Sequence, residues 1–419
     1  MTTPLSPPGR KNPQLRTRMP TRPSEPRSRA ALGLAVAAAE GLFKLQVCEE
    51  CGAVQYPPRD ACCRCLSTQL PWRSIPPTGR LIAETTLQTS SRVYFRERMP
   101  WRIGTVIIEG NVPIICHVHG DVPRGSEVRI INRLDKSGQG VLMALPKEDT
   151  PAMDDDPQLR ELTCDPKYRR ILLTDGRSSD AIAIATALSA AGAATIFVGE
   201  SEAWRPYPGR AALLAINNVV LVPLDVTDEK SVRELAGEIG GKTDILVNNA
   251  RFVRPGGILD RVDTVFARSE MEVNYLGLMR LAQAFGPAMR GRGADGTNSA
   301  AAWVNIISVY AYSNHPAFGS FSASSAAAFS LTQCLRAELR PGGIRVFNLY
   351  VGPTDDEWHQ PLPPPKVAPA ALAKALVAGL QDGLEDAYVG DVARDLIDRW
   401  RAGPKLLERE MTGSTGDVE

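Results

Sequence analysis

Nowhere in its 419 residues does the chain hold an apolar run approaching the roughly 18 to 20 residues that a membrane-spanning helix needs, so no membrane span is expected. It lacks an excess of either charge. With 48 basic residues against 47 acidic ones, no global field draws it to nucleic acid or to an anionic membrane, and partners must be recognised locally. Aromatic residues make up only 6% of the chain, and no basic groove interleaved with them is evident, which argues against nucleic acid as a partner. Histidine is scarce at four residues; His117 and His119 alternate on one predicted strand and, with no third ligand, read as polar side chains rather than a metal site. Lysine is absent from residues 280 to 365, a gap that bears on catalysis below.

What is present falls into roughly two to three domains for a chain of this length. The first 30 residues hold seven Arg or Lys and one Glu among many Pro and Ser, ahead of an Ala-rich stretch from Ala30 to Ala39. Basic residues before an apolar stretch resemble a signal peptide, but this leader is long and Pro-rich. Residues 1–30 are therefore read as a disordered arm entering a helix. Eight cysteines, four of them in paired Cys-x-x-Cys spacing, suit thiolates kept reduced in a cytoplasm.

Residues 31–75 carry the helix and the cysteine cluster. Residues 76–147 show five β-type runs, Arg80 to Gln88, Ile103 to Glu109, Val112 to His119, Glu127 to Asn132 and Gly140 to Leu145, with a hairpin-turn candidate at Gly110-Asn111. Five short antiparallel strands suit a small Greek-key barrel such as an OB-fold. Residues 148–168, rich in Pro and Asp, read as a solvated linker. From 169 to 400, apolar runs alternate with helical periods, predicting an α/β parallel sheet covered by helices on both faces, followed by a tail at 401–419.

Cys48 with Cys51 and Cys62 with Cys65 supply two knuckles, each presenting two thiolates from one tight turn. Four protein ligands close a tetrahedral sphere and leave no place for a reactive water, so the expected metal is a structural zinc. Cys63 reads as a spectator. The run from Leu45 to Arg59, with Cys62, Cys65, Trp72 and Gly79 after it, resembles the thiolase-accessory zinc-ribbon/OB-fold family, a domain of unknown function associated with acyl-CoA enzymes. The resemblance spans residues 31–147. It implies a thiolase-like or acyltransferase partner and a CoA ester shared with it.

The second half resembles the short-chain dehydrogenase/reductase family through Leu224-Asp-Val-Thr-Asp228, Asp244-Ile-Leu-Val-Asn-Asn-Ala250, Glu272-Val-Asn-Tyr-Leu-Gly277 and Val304-Asn-Ile-Ile-Ser308. These stretches imply a doubly wound Rossmann-type fold. The working groups are depleted. Where the family has a glycine-rich turn that lets backbone amides approach a dinucleotide, this chain reads Thr174-Asp-Gly-Arg-Ser-Ser-Asp-Ala181, with Asp175, Ser179 and Ala181 at the glycine positions. A carboxylate about 4 Å from a phosphate oxygen costs on the order of 4 kcal/mol before screening. Asp175, Ser178, Ser179 or Asp180 would instead cap the helix, while Arg177 offers a competing phosphate contact; Thr174, Arg177, Asp225 and Asn248 are the positions that would line NAD(P) if it bound.

Ser308 and Asn274 match the family's Ser and Asn, yet Phe321 and Ser325 replace the Tyr and Lys of its Tyr-x-x-x-Lys proton relay. A phenyl ring has no proton to give. Tyr310 or Tyr312 are the nearby phenols, with no lysine in the surrounding stretch to tune them. Helices near Leu276 to Met289 and Ser324 to Arg340 correspond to the family's dimer contact. The expectation is a non-catalytic scaffold subunit of an acyl-CoA complex, its second half pairing with itself or with an active short-chain dehydrogenase. The alternative is an NAD(P)-dependent reductase of a 3-oxoacyl-CoA or similar ketone with an atypical site.

Overall fold

A computed structural model describes residues 1–9, 20–24, 28–292 and 299–413. Contacts group the chain into two units, whose main stretches are Pro20–Asp165 and Pro166–Gly379 with Asp386–Glu419.

In the first unit, helix α1 (Leu32–Ala39) precedes an antiparallel ribbon of β1 (Lys44–Val47), β2 (Val54–Gln55) and β3 (Trp72–Ser74) in the order β2-β1-β3. Five strands then close a barrel: β4 (Thr78–Leu87), β5 (Trp101–Ile108), β6 (Val112–Val118), β7 (Glu127–Leu134) and β8 (Gly140–Pro146), ordered β4-β5-β6-β8-β7. Only the β6/β8 pairing is parallel among these. Alternate residues point inward, and Leu81, Val106, Ile114, Val118, Val128, Ile130 and Leu142 fill the interior. The β5/β6 hairpin turns at Gly110 and Asn111, with φ of 77° and 60°, the two left-handed positions a two-residue turn requires. A bulge between Leu81 and Ala83 bends β4. Opposite it, a Cβ on Gly104 would lie 2.6 Å from Leu81 Cδ1 and 2.8 Å from the Ala83 carbonyl, so only glycine fits.

The stretch 148–168 differs from the expected solvated linker. Short helices α2 (Val93–Arg96) and α3 (Pro157–Arg160) flank the barrel, and Leu159 and Leu162 pack on Val141, Met143 and Leu145. Asp156 is buried because its carboxylate caps α3 through the Gln158 and Leu159 amides and accepts the Gly120 amide at 2.9 Å. Composition suggested solvation; the caps turn those acids inward. The expected free arm differs likewise in its described parts, where Asp155 accepts the Leu5 amide and Pro23 accepts Ser137 Oγ; residues 10–19 and 25–27 lie outside the described residues.

The second unit is a seven-stranded parallel sheet ordered β11-β10-β9-β12-β13-β14-β15, with β9 (Arg170–Leu173), β10 (Thr195–Glu200), β11 (Val219–Pro223), β12 (Ile245–Asn248), β13 (Ala302–Ser308), β14 (Arg345–Val351) and β15 (Asp386–Val389). The helices are α4 (Ala181–Ala190), α5 (Arg210–Leu214), α6 (Glu229–Ile239), α7 (Val265–Met271), α8 (Leu278–Gly291), α9 (Gly319–Leu339), α10 (Pro369–Asp382), α11 (Asp391–Ala402) and α12 (Pro404–Gly413). The central strands are buried on both faces, as their unbroken apolar runs require. Trp303, Phe285, Leu281 and Val346 anchor the core under α6, α8 and α9.

Three boundaries differ from the sequence reading. The expected tail is helical through α12, whose Leu407 is buried; residues 414–419 lie outside the described residues. Helix α9 starts at Gly319, ahead of the expected Ser324, and β15 is an additional strand. A π-helical turn, Glu272–Gly277, separates α7 from α8 and carries Asn274. No helix among the described residues is long and apolar enough to cross a membrane.

Candidate functional site

The four knuckle cysteines converge as expected. All four Sγ atoms lie within 4.8 Å of one another, with Cys48 to Cys65 at 3.5 Å and Cys51 to Cys62 at 3.6 Å. Each knuckle closes on a left-handed residue after its second cysteine, Gly52 at φ 68° and Leu66 at φ 64°, whose amides return to the Cys48 and Cys62 carbonyls. A buried glutamine pair ties the knuckles together. Gln55 Nε2 donates to Gln46 Oε1 at 3.0 Å, while Gln55 Oε1 accepts the Cys63 amide and Gln46 Oε1 accepts the Arg59 amide. Cys63 itself is exposed and outside the cluster.

Backbone amides of Cys65 and Arg64 aimed at its sulfur lower the Cys62 thiol to about 6. Against the pull of the Ser67 amide, the neighbouring cysteines push Cys65 up to about 12. Four thiolates this close repel one another unless a cation sits among them. The donor set is soft, tetrahedral in number and closed, and fits a structural zinc.

In the second unit, Asn248, Asn274, Ser308, Phe321 and Ser325 line one cleft together with Arg251 and Leu278, so the sequence-chosen positions do come together. The cleft holds about 20 Å³, close to what a single water requires. Ser308 Oγ accepts the Tyr310 amide at 3.2 Å and caps the short turn that follows β13. Asn274 is engaged with backbone: its Oδ1 accepts the Phe252 amide at 2.9 Å, and its Nδ2 donates to the Phe252 carbonyl and to Ser324 Oγ. Phe321 and Ser325 are buried on α9. Tyr310 and Tyr312 do not line this cleft; Tyr310 packs at a tilt against His315 and Phe318, and Tyr312 packs tilted or edge-on against Phe329, Tyr350 and Trp400. Burial pushes both phenols up, the direction opposite to a proton relay's needs.

The turn after β9 is knitted into the protein. Thr174 Oγ1 donates toward Asn248 Oδ1 at 3.1 Å, and Asn249 bonds the Asp175 backbone twice, accepting its amide at 2.9 Å and donating to its carbonyl at 2.8 Å. Asp175 Oδ1 accepts the Arg177 amide, and burial pushes the Asp175 carboxyl up to about 6. Gly176, the turn's one glycine, is needed for packing, since a Cβ there would lie 2.8 Å from Val198 Cγ1. Arg177 does not reach toward the crevice as the expected phosphate contact would require. Its guanidinium donates to the carbonyls of Ser201, Glu202 and Arg205 and lies 4.7 Å from the Tyr207 ring centre. Asp225 is likewise turned into its own loop, accepting from Thr227.

Sequence reasoning missed Arg251 and Glu200. Arg251 directly follows the Asn-Asn-Ala run and pairs with Asp180 at 2.6 Å; a long cation at that place was the available signal. Glu200 ends β10, where dinucleotide folds hold the ribose, but its carboxylate is buried and bound by Arg210 at 2.7 Å. Thr174, Arg177, Glu200, Asp225 and Arg251 are thus each bonded within the protein.

A short chain dehydrogenase family model matches residues 170–366, and the model of a ChsH2 rubredoxin-like zinc ribbon domain matches residues 35–71. Short-chain dehydrogenase ptmH of Penicillium ochrochloron is 34% identical over 196 residues, 43% of this chain and 68% of that protein. Short-chain dehydrogenase PC-15 of Penicillium crustosum is 36% identical over 143 residues, 33% of this chain and 49% of its own length. The chain thus spans between about half and two thirds of these curated relatives. A short-chain dehydrogenase of Burkholderia cenocepacia J2315, solved in complex with NADP, matches with a TM-score of 0.53 and 29% identity over 59% of this chain and 98% of that one. The chain belongs to the short-chain dehydrogenase family, with a rubredoxin-like zinc ribbon of the ChsH2 type and a five-stranded barrel placed ahead of that domain.

Proposed function

We propose that this chain is an accessory subunit of an acyl-CoA-processing complex and does not itself transfer hydride. One observation carries the reading: Phe321 and Ser325 stand where proton transfer would need a phenol and an ammonium, inside a cleft of about 20 Å³ that Ser308 and Asn274 also line. General acid catalysis of this kind is worth roughly 10² to 10⁴-fold, and the residues present offer no replacement. In this reading the zinc-ribbon and barrel half engages a thiolase-like or acyltransferase partner and shares its CoA ester. Helices α8 and α9 pair the second half with itself or with an active short-chain dehydrogenase; an apolar groove of about 370 Å³ between them, lined by Met279, Ala282, Leu331 and Leu335, supports that pairing.

The test is turnover together with co-purification. The purified chain is expected to leave NADH and NADPH unoxidised in the presence of a 3-oxoacyl-CoA, and to retain a thiolase-family protein when the two are co-expressed. Steady oxidation by the chain alone overturns the reading.

A second reading is favoured by the likeness to a dehydrogenase solved with NADP. On that reading the chain reduces a 3-oxoacyl-CoA or similar ketone with an atypical acid. Turnover that Ser308→Ala abolishes would establish it.

A further inference from the structure

In a doubly wound sheet the ligand crevice opens where strand order reverses, outside the C-terminal ends of the two strands flanking the reversal. Here the order β11-β10-β9-β12 places that point between β9 and β12. The chain leaving β9 enters α4 through Asp180, and the chain leaving β12 carries Arg251. Their side chains meet at 2.6 Å across that point, exposed by only 2% and 13%. The carboxylate is held further by Ser178 Oγ at 2.6 Å and Asn249 Nδ2 at 3.4 Å. Asn249, bonded twice to the Asp175 backbone, fixes the turn around the pair.

A helix N-terminus attracts an anion, and in this fold the anion is ordinarily a dinucleotide's pyrophosphate. We infer that the Asp180–Arg251 pair blocks the place such an anion would take: the Asp180 side chain makes no bond to the α4 amides, but its pair with Arg251 spans the crevice, so the native chain takes up neither NAD(H) nor NADP(H) and its second half folds without a cofactor. A pyrophosphate entering there must displace the Asp180 carboxylate from Arg251, the cation to which it is already committed. The inference is separate from loss of the proton relay. A chain without the relay can still bind a cofactor, and calorimetry distinguishes the two.

The experiment titrates the full chain with NADH, NADPH and inorganic pyrophosphate by calorimetry. The wild type is expected to show no saturable binding up to about 1 mM. Asp180→Asn frees Arg251 beside the start of α4 and is expected to bind pyrophosphate at least about tenfold more tightly than the wild type. The double variant Asp180→Leu with Arg251→Met, which removes both charges in similar volume, is expected to fold and to bind none of the three. Micromolar NADH or NADPH binding by the wild type overturns the inference, as does pyrophosphate binding by the double variant or equal pyrophosphate affinity in wild type and Asp180→Asn. Should Asp180→Asn fail to fold, the wild-type and double-variant titrations still decide.

Discussion

Asp175 sits in a turn that disfavours its charge, since burial raises its carboxyl from an ordinary value of 3.8 to about 6. A carboxyl that binds its proton more tightly when folded favours folding at pH values below its unfolded range, and that contribution is lost as pH rises through about 6. Asp175→Asn keeps an acceptor for the Arg177 amide and removes the charge. It is expected to raise the melting temperature near pH 7.5 and to leave it almost unchanged near pH 4, the gain being on the order of 1 to 3 kcal/mol. Asn274 makes the complementary case. Its amide clamps Phe252 in both directions and holds Ser324, so Asn274→Ala is expected to cost about 1 to 3 kcal/mol in chemical denaturation. Residue identity in the sequence disclosed which groups were missing, but not where the remaining ones point. That is why Arg177 looked like a phosphate contact and Arg251 went unnoticed.

At the scale of elements, legibility followed the strength of the local pattern. The knuckles, the Gly110-Asn111 turn and the central strands were evident because spacing or unbroken apolarity specifies each by itself. Strand β15 was not evident: Asp386-Ala-Tyr-Val389 is short and partly exposed, and its strand state comes from pairing with β14. The first turn of α9 was hidden by glycine and serine, poor helix formers that burial of Phe321 and Ser322 overrides. The same helix supplies the proposed pairing face with α8. Leu331 is partly buried beside the groove, and Leu331→Arg is expected to convert a dimer to a monomer by light scattering while the far-ultraviolet spectrum stays the same. A monomeric wild type contradicts self-pairing.

For the molecule as a whole, the two units have separate cores, one inside the barrel and one about the parallel sheet. Heat is therefore expected to unfold them in distinct transitions. Chelating the metal is expected to lower the transition of the first unit, by an amount reflecting at least several kcal/mol, and to leave the second unmoved. Cys62→Ser should reproduce the shift without chelator and reduce the zinc content measured by atomic absorption. A single transition that moves as one with chelator counts against independent cores.

Strand β8 is the last of the barrel in sequence, yet it lies between β6 and β7. A nascent chain that has emerged only as far as Asp135 therefore exposes two open strand edges, and no earlier segment closes them. Synthesis leaves this half vulnerable to mispairing until Pro146 has cleared the ribosome, and chaperone demand should concentrate in that interval.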